Sequence, residues 1–258
     1  MSLLVCMVPV CPVRSEPSHR SEQTSQLLFG EVCELLERAE DFVRIRILYD
    51  NYEGWCQLAQ LEESVFELSE KNNRLAGEWI NKINVNDQSM YIPFGSSLGV
   101  SEGGKGYSEK YNIVYEGTFI DPLKNAQNIS LVRKHAFTFL NTPYLWGGRS
   151  VFGIDCSGFT QLVFKCINIP LLRDAYQQAT QGKTIDSLKE AKCGDAAFFD
   201  NDAGKITHVG ILLDSKTIIH ASGKVRVDDM NDFGIINRHT NKRTHNLKMI
   251  KRFTEGID

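Results

Sequence analysis

The sequence lacks both a long apolar run and a block of like charges. No window reaches the roughly 20 apolar residues that a membrane-spanning helix requires. Lysine and arginine together number 29 against 32 aspartate and glutamate, a net charge of −3, and neither sign is clustered. These absences argue against a membrane span, and against nucleic acid or an anionic membrane surface as a partner. A small or mixed-charge partner fits better.

The seven cysteines include no C-x-x-C pair, the spacing typical of zinc and redox sites. An odd number of cysteines in a chain of 258 residues, which is large enough to need no disulfides, favours free thiols in a reducing compartment. We therefore expect a cytoplasmic protein, or a periplasmic or envelope protein if a longer precursor carries a signal. The opening MSLLVCMVPVCPV lacks the basic start and cleavage site of a signal peptide, and we interpret it as a β-strand.

The pattern of the chain predicts three domains. Residues 1–62 alternate short β-like runs with turns, as in FVRIRI followed by DNYEGW, which predicts a small all-β barrel or sandwich. Residues 63–122 repeat that pattern around the glycine-rich SEGGKGY and predict a second small β domain. Residues 123–258 begin with a helical stretch at 128–140 and continue into β-like runs, which predicts an α+β domain.

The stretch GIDCSGFTQLVFKC places Cys156 at the start of an amphipathic helix. The apolar side chains that follow it at helical spacing are Phe159, Leu162, Val163 and Cys166. Asp155 precedes the helix and is a favoured capping residue. Backbone N–H groups and the positive end of the helix dipole would then favour the thiolate of Cys156. The alternative interpretation is a structural cysteine buried on the same apolar face.

Two histidines favour the interpretation of Cys156 as a nucleophile. The stretch ITHVGILLDSKTIIHAS predicts two strands joined by a turn. In a hairpin centred on Asp214, His208 and His220 would lie directly opposite each other. A nucleophilic thiol needs a base, and the base needs an orienting group, so Cys156, His208 and His220 can supply the three roles. A zinc site is the alternative, but Cys156, His208 and His220 are only three candidate ligands, and no two of them are close in sequence.

Five stretches resemble, in order and spacing, the motifs of the NlpC-type cell-wall cysteine peptidases: TPYLWGGRSVFGIDCSGFTQLVF, LLRDAYQQATQG, CGDAAFF, HVGILL and IIHAS. The resemblance covers about residues 128–253. PVRSEPSHRSEQTSQLLFGE and YEGW also resemble the bacterial SH3-like domain that precedes the peptidase in one branch of the family. The implied fold class is α+β, with a papain-like catalytic domain preceded by one or two small all-β SH3-like barrels.

The resemblance implies the same three roles for the cysteine and the two histidines. It also implies that Tyr144 of YLWGG lies near the oxyanion, together with the backbone N–H of Cys156. Asp195 of GDAAFF is expected to be structural. Cys193 stands where a proline is usual in the family, a departure that affects only a turn.

The resemblance also implies a substrate class. The family hydrolyses amide bonds of peptidoglycan stem peptides, commonly the bond between γ-D-glutamate and the next diamino acid. In the SH3-bearing branch the expected partner is L-Ala-γ-D-Glu-diamino acid with a free amine. A buried ammonium needs carboxylate partners, and Asp155 and Asp174 are the candidates, although a helix cap and a solvated loop charge are their ordinary alternatives. The further candidates for the substrate site are Ser157, Trp146, Tyr52 and Glu22.

Two other functions are compatible with the sequence. A wall-binding protein with a relic peptidase domain is one, and it is disfavoured because all three catalytic positions are filled. A papain-like amidase or acyltransferase would use the same trio and is the other. We expect a monomeric cysteine endopeptidase of cell-wall peptide recycling that uses no metal and no cofactor.

Overall fold

The computed structural model describes residues 2–63, 74–100, 103–107 and 110–254. The chain divides into two compact units: Met1–Lys124 with Trp146–Phe152, and Asn125–Leu145 with Gly153–Asp258. The predicted limit between the first two β domains borders residues 64–73, and SEGGKGY includes residues 101 and 102, all of which lie outside the described residues. The division into three domains therefore stays a prediction.

The first unit begins with a seven-stranded antiparallel sheet of order β3-β2-β6-β5-β4-β1-β7. Its strands are β1 Leu3–Cys6, β2 Val10–Arg14, β3 Gln23–Leu28, β4 Val32–Ala39, β5 Phe42–Ile47, β6 Glu53–Gln57 and β7 Leu61–Glu63. The alternation of FVRIRI holds in β5, where Val43 and Ile45 are buried and Arg44 is exposed. Cys6, Cys11, Cys33 and Cys56 lie in the core of this sheet as free thiols. The strand interpretation of the opening residues is confirmed by β1.

The same unit contains a second set of strands around its own apolar cluster. They are β8 Leu75–Ala76, β9 Ile80–Val85, β10 Gln88–Pro93, β11 Lys105–Tyr107, β12 Asn112–Tyr115 and β13 Phe119–Ile120. Four of them form a sheet of order β10-β9-β12-β11, and β8 pairs with β13. Asn86 and Asp87 join β9 to β10, and both have positive φ (49° and 65°), as a two-residue hairpin turn of type I′ requires.

The short segment Trp146–Phe152 belongs to the first unit although the chain on either side of it belongs to the second. It contains β14, Arg149–Ser150. The guanidinium of Arg149 is fully buried and donates to both carboxylate oxygens of Glu31, at 2.8 and 3.1 Å. Gly147 has a φ of +72°, and a Cβ there would lie 2.5 Å from the carbonyl oxygen of Gln23. Only glycine fits such a left-handed, crowded position.

Within its described residues, the second unit has three α-helices and a closed sheet. The helices are α1 Ser130–Thr138, α2 Cys156–Lys165 and α3 Ala175–Gln178. The strands are β15 Gly153–Ile154, β16 Lys183–Ile185, β17 Ala196–Asp200, β18 Ile206–Leu212, β19 Thr217–Ser222, β20 Lys224–Asn231, β21 Gly234–Asn237 and β22 Lys242–Arg252. The sheet order is β16-β22-β17-β18-β19-β20-β21, and β22 also pairs with β21, so that six strands close into a barrel. The predicted helices within 128–140 and at Cys156 are confirmed.

The two faces of the barrel carry different contacts. Phe199, Leu212 and Ile218 belong to one apolar cluster on one face. Phe198 and Val209 project from the other face and pack with Cys156 of α2. Among the residues described, no helix has both the length and the apolar character that a membrane crossing requires.

The predicted register of the β18–β19 hairpin is wrong by two residues. His220 pairs with Gly210, and not with His208. His208 therefore lies diagonally across the ladder from His220, on the same face of the sheet, because side chains two residues apart on a strand share a face. Leu212 pairs with Ile218, two residues beyond the partner that a hairpin centred on Asp214 would give it, so the centre of the turn lies at Ser215.

Candidate active site

Cys156 is the first residue of α2, and Asp155 caps the helix as predicted, its Oδ1 accepting from the N–H of Gly158 at 2.7 Å. The residue Cys156 is only 6% exposed. Burial and the carboxylate of Asp155 raise the pKa of this thiol to about 12, while backbone N–H groups of Val209 and Ser157 act in the opposite direction. The helix start does favour the thiolate, but burial outweighs it. The resting group is a thiol that needs a base.

Val209, which contacts Cys156, directly follows His208 on β18. His208 begins a buried row of side chains that crosses three neighbouring strands. His208 Nε2 lies 2.9 Å from Nδ1 of His220 on β19, and His220 Nε2 lies 3.2 Å from Oδ2 of Asp228 on β20. All three residues are buried.

The three side chains of this row are diagonal neighbours on adjacent strands. His220 pairs with Gly210 on one side and with Arg226 on the other, so His208 and Asp228 are each two residues away from its direct partners. Gly210 supplies the room, because a Cβ at this position would lie 2.7 Å from Cβ of His220. The two imidazoles can thereby meet edge on, with an interplanar angle of 83°.

The environment of the row sets its charges. Burial, His220 and His245 lower the pKa of His208 well below its ordinary value, so His208 is a neutral base at neutral pH. Burial alone would raise the pKa of Asp228, but hydrogen bonds from His220, the backbone N–H of Arg238 and the guanidinium of Arg226 lower it to about 2. The row therefore ends in a permanent carboxylate.

A third imidazole covers one side of the base. His245 on β22 stacks on His208 with ring centroids 4.2 Å apart and an interplanar angle of 25°. Burial and the neighbouring His220 lower the pKa of His245 to about 4. His245 is thus a neutral, half-buried ring at neutral pH.

Tyr144 lies near the start of α2, and its place beside the oxyanion stays a prediction of the family resemblance. Its backbone forms an isolated parallel bridge with Ile154, two residues before Cys156. Burial, then Cys156 and Asp155, raise the pKa of the Tyr144 phenol. The hydroxyl is therefore a neutral hydrogen-bond donor within electrostatic range of the thiol.

The two carboxylates predicted to bind an amine have other partners within the second unit. Asp155 forms a buried two-point ion pair with Arg173, whose Nη1 and Nη2 lie 3.1 and 2.5 Å from Oδ1 and Oδ2. Ser157 bridges the pair, since its hydroxyl donates to Asp155 at 3.3 Å and accepts from Arg173 at 3.0 Å. Asp174 forms a capping box with Gln177 at the start of α3. Both aspartates thus cap helices, which was the alternative expected for Asp155 but not for Asp174. Their binding of an amine stays a prediction.

The remaining candidates for the substrate site lie in the first unit. The indole N–H of Trp146 donates to Oε1 of Glu22 at 2.6 Å, and the Trp146 side chain is otherwise largely exposed. Tyr52 is partly buried and packs against the core of the seven-stranded sheet. The structure brings Trp146 and Glu22 together, and the role of all three in binding substrate stays a prediction. Asp195 is held by Arg252 at 2.7 Å, in keeping with the structural role expected for it.

Comparison with known proteins agrees with this geometry. Residues 141–244 match the model of the NlpC/P60 family, and residues 13–61 match the bacterial dipeptidyl-peptidase Sh3 domain. A probable endopeptidase of Haemophilus influenzae is 33% identical over 129 residues, which cover 48% of this chain and 78% of that protein. The chain belongs to the NlpC/P60 family. NlpC/P60 proteins are cysteine peptidases.

Two further relatives bear on the branch and the fold. The γ-D-glutamyl-L-lysine dipeptidyl-peptidase of Bacillus subtilis is 43% identical over 93 residues, which cover 35% of this chain and 31% of that protein. The chain spans about a third of the length of the first two curated relatives it matches. An NlpC/P60 family protein of Bacillus cereus has a TM-score of 0.82 and 19% identity, covering 98% of this chain and 99% of its own, and so shows a shared fold.

Sequence reasoning missed three residues of this NlpC/P60 site: Arg173, Asp228 and His245. Arg173 is a single charge within LLRDAYQQ, and only its burial reveals its pairing with Asp155. Asp228 lies in KVRVDDMN, where the alternation of Val225 and Val227 suggests that the aspartate faces solvent. His245 follows a run of polar residues and has no local pattern.

Proposed function

We propose that this chain is a cysteine endopeptidase that hydrolyses the bond between γ-D-glutamate and the following L-diamino acid in peptidoglycan stem peptides. The observation that carries the proposal is the buried row of His208, His220 and Asp228 across β18, β19 and β20. The row begins on β18 beside Val209, which contacts Cys156 in the first turn of α2. The names of the Bacillus relatives support the choice of bond.

The proposed mechanism is acyl transfer to Cys156. His208 accepts the thiol proton as the sulfur attacks the γ-glutamyl carbonyl carbon. The backbone N–H of Cys156 and the hydroxyl of Tyr144 are the proposed donors to the resulting oxyanion. Protonated His208 then gives its proton to the departing amine, and a thioester forms. Water, deprotonated by His208, attacks the thioester and releases the γ-glutamyl acid and the thiol.

We further propose that the substrate carries a free N-terminal L-alanine. Asp155 supports this because it is a buried carboxylate beside the nucleophile, although Arg173 already balances its charge. The sequence predicts Asp155 and Asp174 as the carboxylate partners of this ammonium. Ser157, Trp146, Tyr52 and Glu22 are the further predicted contacts of the substrate. Cytoplasmic location, a role in recycling and a monomeric state are likewise predictions.

The test uses L-Ala-γ-D-Glu-diaminopimelate and the same peptide with an acetylated amine. The wild-type protein should release diaminopimelate from the free-amine peptide, and Cys156→Ser should lower the rate more than about 1000-fold. Cys166→Ser is the matched control, because Cys166 is a buried free thiol at the other end of the same helix. Equal cleavage of the acetylated peptide would contradict the free-amine proposal alone.

The alternative functions give different results in the same assay. A wall-binding protein without activity would bind peptidoglycan and release nothing from either peptide. An acyltransferase would transfer the γ-glutamyl group to an added amine in preference to water. Full activity of Cys156→Ser would contradict any mechanism through this thiol.

A further inference from the structure

The buried carboxylate of Asp228 is held at both oxygens. Its Oδ1 accepts from Nη2 of Arg226 at 2.9 Å and from the backbone N–H of Arg238 at 3.1 Å. Its Oδ2 faces Nε2 of His220 at 3.2 Å. With Oδ1 engaged by two donors, the carboxylate cannot turn away, and Oδ2 presents only lone pairs to the imidazole.

These contacts assign the proton positions along the row. An ionised carboxylate accepts hydrogen bonds only, so neutral His220 must carry its proton on Nε2, facing Asp228. Nδ1 of His220 then has a lone pair and accepts from Nε2 of His208 at 2.9 Å. Neutral His208 therefore carries its proton on Nε2 as well. Its Nδ1 is left with the lone pair that a general base needs.

We propose that Asp228 is a positioning residue that fixes the tautomer of His220 and, through it, the tautomer of His208. The inference rests on the proposed function, in which His208 is the base. Asp228 does not touch the substrate in this arrangement. It acts over two hydrogen bonds, by making Nδ1 of His208 the basic nitrogen and by balancing the imidazolium that forms when His208 takes a proton.

Replacement by asparagine tests this sharply. In Asp228→Asn the carbonyl oxygen must face the two donors from Arg226 and Arg238, which leaves the NH₂ group facing His220. The amide would then donate to Nε2 of His220, move that proton to Nδ1, and so place the proton of His208 on Nδ1, where no base remains. Asp228→Ala removes the acceptor without adding a donor, so His220 and His208 can still carry their protons on Nε2.

We therefore expect the near-isosteric Asp228→Asn to be the more harmful change. The kcat for the free-amine peptide should fall about 100-fold in Asp228→Asn and about 10-fold in Asp228→Ala, with KM within about twofold of the wild type. A merely structural role for Asp228 predicts the reverse order, because alanine leaves a cavity and asparagine does not. Asp229→Asn is the control, since Asp229 is an exposed neighbour that pairs with Arg238.

Nitrogen-15 NMR of labelled histidine gives a readout that does not depend on activity. In the wild type both His208 and His220 should carry the proton on Nε2, and in Asp228→Asn both should carry it on Nδ1. Unchanged tautomers in a folded Asp228→Asn, or a higher kcat for Asp228→Asn than for Asp228→Ala, would overturn the inference. If Asp228→Ala does not fold, the tautomers of Asp228→Asn decide alone.

Failure of the proposed function is a separate result. A wild-type protein that cleaves no stem peptide contradicts the peptidase, whereas the tautomers of His208 and His220 still confirm or overturn the action of Asp228. Cleavage by the wild type with the order of the two variants reversed contradicts the role of Asp228 and leaves the peptidase standing.

Discussion

His245 shows how a single residue can set the pH range of the site. It stacks on His208 and is one of the three causes, after burial and His220, that lower the pKa of the base. A base is active only while unprotonated, so activity is lost as pH falls through its pKa. Because that pKa is depressed, we expect kcat/KM to hold through neutral pH and to decline only below the ordinary histidine value of about 6.5.

His245→Gln should move this decline to higher pH. The ring of His245 shields His208 from water, and when His245 is protonated it repels the imidazolium form of His208. The substitution removes both effects, and the loss of either raises the pKa of His208. We expect the acid limb of the kcat/KM profile to rise by up to about one pH unit. His239→Gln is the matched control because His239 is exposed in the turn before β22. A downward shift of the limb would contradict the assignment of His208 as base.

At the scale of elements, the β18–β19 hairpin decides whether the two histidines meet. Its register places Gly210, and not a larger residue, opposite His220. Cβ atoms at both positions would be 2.7 Å apart, a contact that only movement of the strands could relieve. The absence of a side chain at residue 210 is therefore what lets the imidazole of His220 lean towards His208.

Gly210→Ala should separate the strands at this point and disturb the row. We expect a loss of about 1–3 kcal/mol in the free energy of unfolding, from overpacking. The kcat should fall at least about 10-fold, since the link between His208 and His220 lengthens. Denaturant unfolding and peptide cleavage measure the two effects. Gly103→Ala is the control, because a Cβ at Gly103 meets nothing within 4 Å. Unchanged kcat in Gly210→Ala would show that the diagonal contact is dispensable.

Local patterns predicted some elements of the peptidase unit and missed others. Helix α1 follows from apolar periodicity, and helix α2 from apolar periodicity and the capping Asp155, which are properties of neighbouring residues. Strand β20 was not predicted, because its inward positions carry Arg226 and Asp228 and so invert the usual alternation. Asp228 can face inward there only because Arg226, His220 and a backbone N–H pair with it.

At the scale of the whole molecule, the segment Trp146–Phe152 leaves the peptidase portion of the chain and joins the first unit. The buried pair of Arg149 with Glu31 holds it there, together with a bond from the Arg149 backbone N–H to Gln26 at 2.8 Å. This segment precedes Cys156 by only a few residues. Residues of the SH3-like match thus bind the segment Trp146–Phe152, which lies within the NlpC/P60 match.

Arg149→Met should destabilise the first unit by about 3–5 kcal/mol, because it removes the buried guanidinium that pairs with both carboxylate oxygens of Glu31. The double variant Arg149→Met, Glu31→Leu should recover most of that loss, as a buried pair is replaceable by apolar groups. Arg44→Met is the control for the same substitution at an exposed ion pair, and it should cost less than about 1 kcal/mol. Denaturant unfolding measures all three variants, and equal losses for Arg149→Met and Arg44→Met would contradict the prediction.

The sequence by itself determined the features that depend on near neighbours. These are the helix that begins at Cys156, its cap by Asp155, the strand character of the opening residues and the family motifs. Such features need only the few residues on either side, since periodicity and capping act within one or two turns.

The tertiary structure alone decided which charges meet. The hairpin register was predicted two residues out, because a turn signal marks where the chain reverses but does not count the residues in the turn. The pairing of Arg173 with Asp155 and of Asp228 with His220 joins residues 18 and 8 positions apart. A buried charge is stable only beside its partner, and the fold brings those partners together.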